Sequence, residues 1–148
     1  MKFEQKLLLS LIFAISSSAA WAAGQFGSFG AVEGRYLTKH AVSSFSKGET
    51  RVFDTLQLSH ELGKYSIALT LHFDYDVKCE LEGSTSLSES GSKTVLTYTD
   101  EDACSLQLLV DDTEITVSDP EHSCASYCGM GGTFDGASFS RAGRLPLQ

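Results

Sequence analysis

The residues of this chain with most chemistry to offer are four cysteines, Cys79, Cys104, Cys124 and Cys128. Thiols in this number form disulfides, bind zinc or exchange electrons, and spacing and compartment separate the three. A thiol redox centre uses C-x-x-C, whereas three residues separate Cys124 from Cys128. Structural zinc sites pair cysteines as C-x2-C. Here a ligand set would have to be assembled from His122, Cys124, Cys128 and the two distant cysteines. An even count in an exported chain reads as two disulfides. The expectation is a covalent framework with no metal and no cofactor.

Catalytic constellations are absent from the sequence. There is no G-x-S-x-G, no H-E-x-x-H and no phosphate-binding G-x4-G-K; Gly129-Met130-Gly131-Gly132 lacks the lysine. His40, His60, His72 and His122 are scattered, and His72 reads as a solvated residue on the polar side of a strand. Asp74 and Asp76 lack the glycine and distal glutamate of a calcium loop. No catalytic residue is assigned, and a non-enzymatic protein is expected. Acidic turns remain, at Asp100-Glu101-Asp102 and Asp111-Asp112. Asp100, Glu101 and Asp102, with Tyr127 as an anchor, are the candidate partner-binding residues; Tyr98 is a second candidate anchor.

The elements that must position these residues are strands. Tyr65, Ile67, Leu69, Leu71 and Phe73 alternate with Ser66, Ala68, Thr70 and His72, the period of two of a half-buried strand. Val52, Asp54, Leu56 and Leu58 alternate likewise, as do Cys104, Leu106, Leu108 and Val110. The first strand is expected over Val32–Leu37, a turn over Val42–Thr50 and the last strand over Thr133–Arg141. About eight strands with short turns predict an all-β antiparallel meander, closed as a small up-and-down barrel; a two-sheet β-sandwich is the alternative. Glycines at Gly34 and Gly136 would let the two end strands bend together. Residues 32–141 are read as this domain, 23–31 as a glycine-rich arm and 142–148 as a flexible tail.

Residues 1–22 read as a cleaved signal peptide. Lys2 and Lys6 precede the apolar run Leu7–Ile15, and Ala20-Trp21-Ala22 supplies the cleavage pattern. The run is shorter than the roughly 20 residues a membrane span needs. Cleavage removes Lys2, Lys6 and Glu4, which moves the net charge from −8 to −9. Such a chain repels nucleic acid and anionic membranes and attracts cationic partners. The expected location is the periplasm or the exterior.

The meander also constrains the disulfides. Cys79 and Cys104 begin the fourth and sixth strands, and the turn at Asp111-Asp112-Thr113 returns Cys124 and Cys128 to the same end. Four cysteines allow three connectivities. Cys104–Cys128 with Cys79–Cys124 is favoured. Cys124–Cys128 with Cys79–Cys104 must bridge two strand starts roughly 9 to 10 Å apart, beyond the usual disulfide span. Asp100-Glu101-Asp102 falls at the cysteine end and Asp111-Asp112 at the other.

The order Gly34-Arg35-Tyr36, Cys79-Glu80-Leu81-Glu82-Gly83, Cys104-Ser105-Leu106-Gln107-Leu108, Cys128-Gly129 and Gly136-Ala137-Ser138-Phe139 resembles small exported bacterial proteins. The likeness is to the periplasmic lysozyme inhibitors of the C-type-inhibitor kind. It implies a disulfide-tied β-barrel that binds lysozyme. Two departures are the absence of a lipid-anchor cysteine and of a Ser-Gly-x-x-Tyr loop, for which Gly91-Ser92 is the nearest substitute. Two function classes follow: a binding or inhibitory module for a cationic protein, and a small-ligand carrier that uses the barrel interior; an envelope protein of another role is a further alternative. A filled barrel with an acidic loop-built face favours the first; a sizeable apolar cavity favours the second.

Overall fold

The computed structural model describes residues 32–148; the segments read as a signal peptide (1–22) and a glycine-rich arm (23–31) lie outside them. Eight strands follow in chain order: β1 Gly34–Ser44, β2 Gly48–Glu61, β3 Lys64–His72, β4 Lys78–Ser90, β5 Lys93–Thr99, β6 Ser105–Val110, β7 Glu114–Ser118 and β8 Ser138–Ser140. Each pairs antiparallel with the next in one sheet, in sequence order. The sheet curls into a nearly closed barrel, as the alternation predicts.

Period two decides what lies inside. Leu56 and Leu58 of β2, Ile67, Leu69 and Leu71 of β3, Leu106, Leu108 and Val110 of β6, and Ile115 and Val117 of β7 are buried. Tyr36, Tyr98, Phe134 and Phe139 complete a continuous core. The Tyr98 ring lies against Gly83, where a Cβ would come within 2.4 Å of it. Outward positions such as Lys39, Arg51, Gln57, Glu80, Glu82 and Gln107 are exposed. This apolar-in, polar-out pattern is the reverse of a lipid-facing barrel.

The seam between first and last strands closes without a ladder. Arg35 and Leu145 exchange two backbone hydrogen bonds of 2.9 and 2.8 Å, and the Thr38 hydroxyl donates to the Ser138 carbonyl at 2.9 Å. Gly34 sits where a Cβ would meet the Arg144 side chain at 2.6 Å and the Leu145 carbonyl at 2.9 Å, so the approach needs glycine. Within the tail read as flexible, Leu145 forms this isolated bridge because the outer backbone edge of β1 is unpaired at Arg35.

Two strand boundaries differ from expectation. β1 runs on to Ser44, through serines read as a turn, because Val42 and Ser44 continue the inward face begun by Tyr36. The turn is confined to Phe45-Ser46-Lys47. The last strand is only Ser138–Ser140. Before it, Gly136 at φ +82° loops the chain so that its N–H bonds the Val117 carbonyl, and the Val117 N–H bonds the Ala137 carbonyl.

At the far end from the cysteines, Asp111 organises the β6–β7 turn. Its Oδ1 accepts from the Thr113 N–H (2.8 Å), the Thr113 hydroxyl (2.9 Å) and the Glu114 N–H (2.9 Å). These bonds hold its carboxyl down at a pKa of about 2, below the unfolded value of about 3.9. The folded form is therefore favoured above pH ~4 and this contribution fades as pH falls towards 2. Asp111→Asn should flatten stability against pH in that window, measured by denaturant unfolding; an unchanged slope would show that other carboxyls carry it.

Candidate functional site

Four connections meet at one end of the barrel: β1–β2 (45–47), β3–β4 (73–77), β5–β6 (100–104) and the long β7–β8 loop (119–137). All four cysteines lie at this end, as the meander requires. Their pairing is Cys79–Cys128 and Cys104–Cys124. The favoured connectivity, Cys104–Cys128 with Cys79–Cys124, is corrected. The reason is the order in which the loop crosses the barrel end. β7 lies beside β6, so after Ser118 the chain meets the start of β6 first, and Cys124 takes Cys104. It then continues through the short 3-10 turn Ala125–Tyr127 towards β4, where Cys128 takes Cys79 and the Gly129 N–H bonds the Lys78 carbonyl at 2.9 Å.

Asp119 fastens the start of that crossing. It is almost fully buried. Its carboxylate accepts from the Ser123 N–H at 2.8 Å, the Ser123 hydroxyl at 3.1 Å and the Cys124 N–H at 3.2 Å. The Ser123 hydroxyl oxygen also accepts from the Ser105 N–H at 3.0 Å, tying the loop to β6. Asp119 holds Cys124 against Cys104, a role the sequence shows only as an aspartate before a proline.

Asp100 and Tyr127 are brought together. The Tyr127 hydroxyl donates a short hydrogen bond to Asp100 Oδ2 and lies 3.4 Å from the Tyr98 hydroxyl. Asp100 Oδ1 accepts from the N–H groups of Asp102 (3.0 Å) and Cys104 (2.9 Å). The Tyr127 bond, with these backbone donors, keeps the Asp100 carboxyl below the usual carboxylate range. The same bond, from the other side, raises Tyr127 well above an ordinary phenol. Both groups are thus committed to the loop's own architecture. Glu101 and Asp102 are exposed at its tip, carried there by Ala103 at φ +65°.

Charge at the two ends differs sharply. The four connections at the cysteine end carry Asp74, Asp76, Asp100, Glu101, Asp102, Asp119, Glu121 and Asp135, against Lys47 as their one lysine or arginine. At the far end, Asp111 and Asp112 are offset by Arg141 and Arg144.

The β1–β2 hairpin extends beyond Thr55–Thr70, the last pair of the β2–β3 ladder in that direction. Its tip is pinned to the β3–β4 connection: the Ser43 N–H donates to Asp74 Oδ1 at 2.7 Å and the Ser44 hydroxyl to Asp76 Oδ2 at 3.2 Å. At its base, Asp54 shares the inward register of Leu56 and Leu58. It accepts from the His72 N–H at 2.7 Å, and its oxygens lie 3.0 Å from His40 Nε2 and 3.5 Å from His72 Nδ1. His72, expected to be solvated, is drawn to this carboxylate. The signal was an acid in phase with leucines, which must find partners when it turns inward.

Sequence reasoning also passed over Phe45, Tyr75 and Met130. All three are exposed, at 80, 58 and 95 %. They line a depression of about 570 Å³ with Phe73, Asp74, Val77 and Gly131. The Phe45 and Tyr75 rings lie 4.9 Å apart.

The chain matches no protein-family model, no curated protein and no solved structure.

Proposed function

We propose that the mature chain is an exported binding module for a cationic protein, with lysozyme as the candidate target, and that it contacts this partner through the loops at the cysteine end. The observation that supports this reading is the concentration of acidic side chains in those loops, on a barrel whose interior is filled by its own side chains. Opposed potentials speed encounter and weaken as salt rises. Two disulfides suit an oxidising compartment, which agrees with the periplasmic or secreted location read from residues 1–22. The ligand-carrier reading draws no support from a core packed with Tyr36, Phe134 and Phe139.

Export is tested by intact mass: the protein recovered from the cell exterior or periplasm should begin at Ala23, within a residue or two. The full-length chain in the cytoplasm alone would overturn it. Binding is tested by lysozyme activity on cell walls with the purified mature protein at low ionic strength. Inhibition is expected, and it should be lost steeply as salt rises. Glu101→Gln with Asp102→Asn should slow association about tenfold while changing dissociation little. Asp100 is left intact because its carboxylate supports Cys104 and Tyr127. No inhibition of chicken-type, goose-type or invertebrate-type lysozyme at micromolar excess would remove lysozyme as the target.

A further inference from the structure

The exposed trio at the cysteine end is built by three separate connections, and each side chain is displayed for a local reason. Met130 stands in Gly129-Met130-Gly131-Gly132. A Cβ at Gly132 would lie 2.8 Å from the Cys79 sulfur, and one at Gly129 3.2 Å from Val77. The loop backbone therefore lies directly on β4 and the Cys79–Cys128 bridge, and Met130 is left 95 % exposed. Tyr75 has φ +61°, as does Asp76 after it. Left-handed backbone at two consecutive non-glycine residues is costly, and the bonds from Ser43 and Ser44 to Asp74 and Asp76 hold it. Phe45 projects from the hairpin tip against Tyr75. A disulfide, two side-chain ties and a ring contact thus prearrange an apolar surface that its own chain leaves uncovered.

Charge selects what fits there. Asp74 and Asp76 are exposed at the edge of the depression, and Asp100-Glu101-Asp102 lies at the same barrel end. Each of Asp74 and Asp76 spends one carboxylate oxygen on the hairpin tip. Of the nearby cations, Lys78 is paired with Glu80 at 2.6 Å, which leaves Lys47 as the opposing charge in the hairpin turn. A second copy would bring one acidic end against another, and an anionic bilayer would be repelled in the same way.

We propose that the Phe45–Tyr75–Met130 depression is the seat for an apolar side chain flanked by lysine or arginine on the surface of the cationic partner. This rests on the reading of the cysteine end as the face for a cationic protein, and deepens it: acids steer the encounter, and the apolar trio sets the dwell time. Methionine and aromatic rings suit this, since a thioether and offset rings adapt to an incoming aliphatic or aromatic group.

The test uses the isotopically labelled mature chain and three synthetic peptides: Lys-Leu-Lys-Leu-Lys-Leu-Lys, Lys-Ser-Lys-Ser-Lys-Ser-Lys and Ser-Leu-Ser-Leu-Ser-Leu-Ser. The lysine–leucine peptide should shift the backbone resonances of residues 45–47, 73–77 and 129–132. It should bind about tenfold more tightly than the lysine–serine peptide, with the serine–leucine peptide weaker than both. Tyr75→Asn with Met130→Ser should erase the preference for leucine over serine; asparagine is chosen because it accepts the positive φ of position 75. Equal binding of the two lysine peptides, shifts confined to Glu101 and Asp102, or no shift at all would overturn the proposal. So would self-association that Met130→Ser abolishes. The lysozyme assay reports separately: inhibition without peptide binding at the trio keeps the functional reading and removes this seat, whereas peptide binding without inhibition keeps the seat and removes lysozyme.

Discussion

Replacing Cys79 and Cys128 together by alanine is expected to destabilise the domain by about 4 kcal/mol, and replacing Cys104 and Cys124 together by about 3 kcal/mol, from the entropy that each closed loop removes from the unfolded chain. The difference arises because the bridges span 49 and 20 residues respectively. Paired substitutions avoid a free thiol that could form a new bridge. Denaturant unfolding of the two variants checks the order, and non-reducing peptide mapping checks the pairing. Chymotrypsin cuts after Tyr127 and so separates Cys124 from Cys128. The Cys79 peptide should then run linked to the peptide that begins at Cys128, and the Cys104 peptide to the one that ends at Tyr127. A Cys104–Cys128 link would overturn the connectivity. The Cys79–Cys128 bridge also anchors the loop that displays Met130, so its loss should weaken binding of the lysine–leucine peptide more than loss of the other bridge.

Phe134→Ala is the second large effect. Phe134 belongs to the long β7–β8 loop and not to a strand, yet it is 1 % exposed and part of the continuous core. Its ring helps fill the barrel at the end where the acidic loops meet. Truncation leaves a cavity in a close-packed interior and should cost about 3 to 5 kcal/mol, read from urea unfolding. The same variant addresses the carrier reading. Benzene should enter the space vacated by the ring and raise the thermal midpoint of the variant, because a dry apolar cavity takes such ligands. The unaltered protein should show no such rise. A comparable rise in the unaltered protein would mean that its interior already holds ligand-sized space, and would restore the carrier to consideration.

The acidic residues named from sequence divide in two once their partners are seen. Glu101 and Asp102 remain available to a partner. Asp100 and Tyr127 bond each other and the loop backbone, so a triple neutralisation of Asp100, Glu101 and Asp102 would confuse loss of steering with loss of loop structure. The double variant at Glu101 and Asp102 separates the two.

Much of the fold was legible because a strand's side chains alternate with a strict period of two. Tyr65 to Leu71 and Cys104 to Val110 declare which face is inward without any knowledge of neighbours. Short turns between such runs leave an antiparallel meander as the simplest topology, and that topology alone collects the cysteines at one end. Connectivity was not legible. It depends on which strand the 119–137 loop passes first, a fact of its path across the barrel end that local pattern does not encode. The same holds for the seam: Leu145 looks like a loose tail until the unpaired backbone of Arg35 is beside it. His72 reads as solvated until Asp54, in phase with Leu56 and Leu58, is turned towards it. Phe45, Tyr75 and Met130 stand 30 and 55 residues apart in the sequence, each an isolated apolar residue in a polar stretch. Residue types and their period determined the strands, the core and the acidic turns. Only the tertiary structure decided which cysteines pair and which side chains meet across that end, because the path of the 119–137 loop and the contacts between neighbouring connections are not encoded in local pattern.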